Sequence, residues 1–270
     1  MITMEDYAKS TTYSNPLKIL GIGLVKIEMN NSEKKNKIIF QKGIGDPLIQ
    51  NLLEIYKAEI FRKKQGNSII PLDDYTIYLH YFEDNLGNIS ITIYMDQKEN
   101  SINYSKLYLI SKKINKALNS NICTEEIIEL CNNIIEVPRS EGIIAIFILG
   151  SSGSPYFSKM NTERNFIADS EVHISAFISA LYSFSEQIID QDTGANLKEI
   201  NFGNQRFYMI IKENVIFAYL VQDLDPLLKR YMYLVVDEFL AEFSSHLKNF
   251  NGDVTPFDNF EKKINQYFII

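Results

Sequence analysis

The order in which strand-like and helix-like segments follow one another repeats once along this 270-residue chain. That repeat constrains the fold more than any single motif does. From Leu17 to Glu136 the residues read strand, strand, helix, three strands, helix, helix, and from Gly142 to the C-terminus they read the same order again. Corresponding segments lie roughly 120–125 residues apart, about one ordinary domain length. The match is in order and spacing, not in residue identity. Residues 1–16 are read as a flexible N-terminal segment, 17–138 as one domain and 139–270 as a second. Two copies of a small α+β module suggest a platform for partners more readily than a single catalytic cleft.

In the first copy, Leu17 to Met29 is dense in Ile, Leu and Val and reads as one long strand, and Lys37 to Gln41 as a second after the polar turn Asn30 to Asn36. Asp46-Pro47 then opens a helix, Asp46 as its cap and Pro47 at the first helical position. Leu48, Ile49, Leu52, Leu53, Tyr56 and Ile60 share one face of it, with Gln50, Asn51, Glu54, Lys57 and Arg62 on the other. Ser68 to Leu72, Tyr75 to Phe82 and Ile89 to Met95 follow as strands, the last two alternating and joined by the turn Asn85 to Asn88. Tyr104 to Leu118 is helical by spacing, and Thr124 caps a helix running to Glu136.

Pro138 to Gly142 is the junction. Beyond it, Ile143 to Leu149 and Ser154 to Met160 form a hairpin around Gly150-Ser151-Ser152-Gly153, and His173 to Ile188 is helical. Leu197 to Phe202, Arg206 to Lys212 and Val215 to Val221 are three strands. Asp225-Pro226 repeats the cap-and-proline device before a helix to about Phe250, which Gly252 terminates. Phe257 to Phe268 closes the chain as a last helix. The apolar residues between Pro226 and Phe250 occupy more than one face, as in a helix enclosed by its own fold.

Composition narrows the function. Charged residues make up 23% and apolar ones 46%, a globular balance. The longest apolar runs have strand length and fall short of the roughly 20 residues that cross a bilayer, and Met1 to Asn15 lacks the apolar stretch of a secretory signal. A cytoplasmic location is the expectation, with membrane contact only through a partner. Through Pro138 there are 16 basic and 17 acidic residues, and beyond it 11 and 17. An acidic second half does not suit a nucleic-acid groove or adhesion to anionic lipid. The basic cluster Arg62-Lys63-Lys64 sits at a helix end, where it complements the helix dipole.

No catalytic constellation emerges. Gly150 to Pro155 is rich in Gly and Ser but leads into a strand, so it lacks the helix N-terminus that would hold a phosphate. Gly21-Ile22-Gly23 lies inside a strand and marks a bulge or a close backbone approach. His80, His173 and His246 do not fall at zinc-binding spacings. Cys123 and Cys131 fit no common metal or redox pattern, and Cys131 reads as a buried thiol. The pairs Asp73-Asp74 and Asp237-Glu238 are sequence neighbours that do not converge on one site. The chain is read as no enzyme, with no cofactor or metal.

The Gly-Ser-Ser-Gly-Ser-Pro hairpin, the stretch His173-Ile174-Ser175-Ala176-Phe177-Ile178-Ser179-Ala180-Leu181 and the long helix after Asp225-Pro226 resemble the longin, or SNARE-like, domain. The first half is similar in element order. The resemblance implies two α+β domains, each a five-stranded antiparallel sheet with one helix on one face and two on the other. Tandem domains of this kind are similar to longin-containing regulators of small GTPases in membrane trafficking. The partner implied is a small GTPase or another longin or roadblock protein, with a homodimer as a further option.

The helix His173 to Ile188 is the most informative element. At 100° per residue, Ile174, Phe177, Ile178, Leu181, Phe184 and Ile188 share a face expected to cover the sheet. The opposite face holds Ser175, Ala176, Ser179, Ala180 and Ser183, where an exposed helix ordinarily carries charge. Small residues there permit close approach of another backbone, either a partner's or that of a loop or domain of this same chain. In longin and roadblock domains this helix commonly serves in pairing, which the resemblance extends to these five residues. The function expected is therefore a non-enzymatic interaction module that binds or regulates a small GTPase in trafficking-like machinery, with a place in a nucleotide-exchange complex as one form of that role. The alternatives are a structural subunit that pairs with other longin or roadblock proteins, and a ligand sensor or enzyme with a pocket between the domains.

Overall fold

The computed structural model describes residues 16–29, 34–100, 103–120, 122–161, 171–193 and 197–270. The N-terminal segment read as flexible, most of the turn after Met29 and the side chain of Ile188 lie outside the described residues. The chain divides into two compact units at the Pro138–Arg139 bond.

The first unit contains β1 (Leu17–Lys18), β2 (Gly21–Met29), β3 (Lys34–Lys42), α1 (Asp46–Lys63), β4 (Gln65–Pro71), β5 (Tyr75–Glu83), β6 (Ile89–Gln97), α2 (Tyr104–Leu118), α3 (Thr124–Ile134) and β7 (Ile135–Glu136). The second contains β8 (Ile143–Gly150), β9 (Pro155–Met160), α4 (Glu171–Thr193), β10 (Glu199–Phe202), β11 (Gln205–Lys212), β12 (Val215–Val221), α5 (Pro226–Lys248), a 3-10 segment (Thr255–Phe260) and α6 (Glu261–Tyr267). Each unit has a five-stranded sheet, ordered β3-β2-β6-β5-β4 in the first and β9-β8-β12-β11-β10 in the second. All pairings within both sheets are antiparallel. Counted along the chain among its own five strands, each sheet runs second, first, fifth, fourth, third strand. The repeat seen as element order is therefore also a repeat of topology.

Alternation along the strands sends successive side chains to opposite faces, and the helices divide accordingly. In the first unit Ile22, Leu24, Tyr78 and Tyr94 pack with Leu107, Ile110 and Ile114 of α2 and Ile127, Cys131 and Ile134 of α3. The other face receives α1: a Cβ built on Gly23 would lie 2.9 Å from the Ile49 side chain, and Tyr81 donates a hydrogen bond to Glu59 of α1 at 3.4 Å. In the second unit Phe147, Leu149, Ile216 and Ala218 pack with Ile178 and Tyr182 of α4. Ile146, Ile148, Phe217 and Tyr219 pack with α5, the 3-10 segment and α6. Helix α5 is enclosed as its composition suggested, with Leu228, Tyr231, Met232, Val235, Phe239 and Phe243 all buried. Asp225 Oδ1 accepts from the Leu228 amide at 2.8 Å and caps it.

Several local readings are corrected. The stretch Leu17 to Met29 is two strands, because Leu17–Lys18 pairs in parallel with Ile135–Glu136. The same pairing takes Ile135 and Glu136 out of the helix that was to run to Glu136. The N-cap of α1 is Gly45, with no side-chain hydrogen bond, so Asp46 acts through the helix dipole. Cys123, not Thr124, is the cap residue of α3. The last helix is shorter than expected, its first part being the 3-10 segment. The Gly21–Gly23 reading as a close approach stands: a Cβ on Gly21 would lie 2.6 Å from the Gly43 carbonyl oxygen.

Candidate protein-interaction surface

Helix α4 holds the five residues singled out in the sequence, and they divide between its faces. Ser175 and Ser179 are buried, Ser183 is half-buried, and Ala176 and Ala180 are exposed. The face turned to the sheet consists of Ser175, Ile178, Ser179, Tyr182 and Ser185. Phe177 and Phe184, expected against the sheet, are 43% and 61% exposed. The helix is turned by roughly 100° from the orientation that the apolar spacing suggested.

In this orientation the helix packs on the β8–β9 turn. Ser179 Oγ donates to the Ser151 carbonyl at 2.9 Å. A Cβ built on Gly153 would lie 3.2 Å from Ser179 Oγ, and Gly153 has φ +92°, outside the range that L side chains favour. The glycine-serine hairpin and the small helix residue thus fit each other. Part of the small-residue strip admits a loop of its own domain, the intramolecular option for those positions. Ser185 Oγ donates to the Tyr182 carbonyl at 2.8 Å and needs no partner outside the helix.

What remains outward is an uncharged face formed by Ala176, Phe177, Ala180 and Phe184, with His173 at its start. No Asp, Glu, Lys or Arg occurs between Val172 and Ser185. Phe202, at the end of β10, extends the surface: it is 47% exposed, and its ring lies 6.1 Å from that of Phe177. The sheet ends at β10, so the backbone edge of that four-residue strand is the rim of the same surface. The equivalent helix α1 is built differently. Its outer face carries Gln50, Asn51, Glu54, Lys57 and Arg62, with ion pairs Lys57–Glu54 at 3.2 Å and Lys63–Glu59 at 2.7 Å.

Phe177, Phe184 and Phe202 were missed as surface residues. The usable signal was the width of the apolar arc: α4 carries more large apolar side chains than one sheet-facing stripe can hold. The basic cluster at the end of α1 fits its structural reading, since Lys63 pairs with Glu59 and Lys64 with Glu83 at 2.8 Å. That pairing holds the Glu59 carboxyl below its usual range, chiefly through the Lys63 hydrogen bond. Gly150 to Pro155 is a hairpin turn closed by the Gly150 amide donating to the Ser154 carbonyl at 2.8 Å. Burial pushes the Cys131 thiol up to about 12, which makes it an inert core group. Among the described residues, no helix is long and apolar enough to cross a membrane.

No protein-family model matches the chain, and no curated protein matches it. Among solved structures it is similar to a Roadblock/LC7 domain from Streptomyces avermitilis. The likeness covers 38% of this chain and 87% of that one, at 15% identity and a TM-score of 0.32.

Proposed function

We propose that this chain is a protein-interaction module that docks a partner on the outer face of α4. The observation that carries the reading is the exposure of Phe177 and Phe184 on a helix whose stretch from Val172 to Ser185 carries no charged side chain. Covering the rest of the Phe184 side chain, 61% exposed, would recover about 1–2 kcal/mol of apolar burial. Aromatic side chains with small neighbours make good anchors at protein contacts. The first domain, whose corresponding helix carries charged, ion-paired side chains on its outer face, serves as the supporting copy.

The partner class follows from the resemblance to longin domains: a small GTPase, or another longin or roadblock protein. Docking needs no cofactor, and any catalytic effect would be nucleotide exchange on the bound GTPase. An exchange role requires binding that is tightest to the nucleotide-free GTPase. Equal affinity for all nucleotide states would eliminate exchange and leave the chain as a structural subunit. The test is affinity capture from the native source with mass spectrometry, run side by side with wild type and Ala180→Arg. Proteins held by the first and lost by the second are partners of this face, and identical sets would refute the assignment.

A further inference from the structure

We draw no further inference here: the strongest candidate, the uncharged outer face of α4 with Phe177 and Phe184 beside the β10 edge, belongs to the surface already described, and nothing in the structure shows which molecule covers it.

Discussion

The Tyr267 hydroxyl donates to Glu238 Oε1 at 2.6 Å, with both residues buried between α5 and α6. Lys263 Nζ reaches Oε2 of the same carboxylate at 3.3 Å. A carboxylate taken out of water needs such partners, because stranding a buried charge costs more than the pair itself contributes. Tyr267→Phe is therefore expected to lower unfolding free energy by about 1–3 kcal/mol, read by urea denaturation. Glu238→Leu in the Tyr267→Phe background removes a buried carboxylate that has lost its hydroxyl donor, and should recover part of that loss. A double variant no more stable than Tyr267→Phe would show that the remaining partners, Lys263 among them, suffice for the carboxylate.

Ser179 and Ala180 are neighbours with opposite expected behaviour. Ser179 faces the β8–β9 turn, so Ser179→Arg forces a long cation against the Ser151 carbonyl and Gly153. A loss of about 2–4 kcal/mol is expected in thermal or urea unfolding. Ala180 is exposed, and Ala180→Arg should change stability by no more than about 0.5 kcal/mol. Equal effects of the two substitutions would mean that α4 is oriented otherwise.

Close backbone approach makes Gly21 stricter than Gly23. A Cβ at position 21 meets the Gly43 carbonyl oxygen at 2.6 Å, whereas one at 23 meets the flexible end of Ile49 at 2.9 Å. Gly21→Ala is expected to destabilise the protein by about 1–3 kcal/mol, and Gly23→Ala by less. The comparison needs only the two denaturation midpoints.

His80 is 1% exposed, its ring 4.2 Å from Phe82 and 4.9 Å from Tyr108. Burial, and after it the Lys112 charge, holds the imidazole down at about 4 from an ordinary 6.5. The unfolded chain takes up this proton first as pH falls. Stability is therefore lost between pH 6.5 and about 4, at roughly 1.4 kcal/mol per pH unit at most, and this contribution is complete below that. His80→Phe keeps an aromatic ring and removes the titration. The gap in melting temperature between wild type and variant should shift in the variant's favour on going from pH 7 to pH 4.5; a constant gap would contradict the burial assignment.

Much of this architecture is legible locally. Alternation in Tyr75 to Phe82 and Ile89 to Met95 marks strands because each face meets a different environment. Asp225-Pro226 marks a helix start through chemistry confined to four residues. Glu213 and Asn214 form a turn whose φ angles are +53° and +63°, as a tight hairpin of this type requires. What escaped the sequence depends on distant partners. The break after Lys18 follows from pairing with Ile135 and Glu136, more than a hundred residues away. The orientation of α4 includes a hydrogen bond from Ser179 to Ser151, and helical periodicity carries no record of that contact. Periodicity located helix α4 and assigned its faces wrongly, so in the proposed docking surface Phe177 and Phe184 replace Ser175 and Ser179 as candidate contacts.

Seating of a partner on the outer face of α4 is what the proposal stands on. The direct measurement is quantitative affinity capture from the native source with Phe184→Asp beside wild type, after both show the same unfolding midpoint. Phe184 is 61% exposed, so its replacement leaves the core intact. At least one protein should be recovered in near-stoichiometric amount with wild type and reduced tenfold or more, about 1.4 kcal/mol, with the variant. Equal recovery of every bound protein by the two would contradict it.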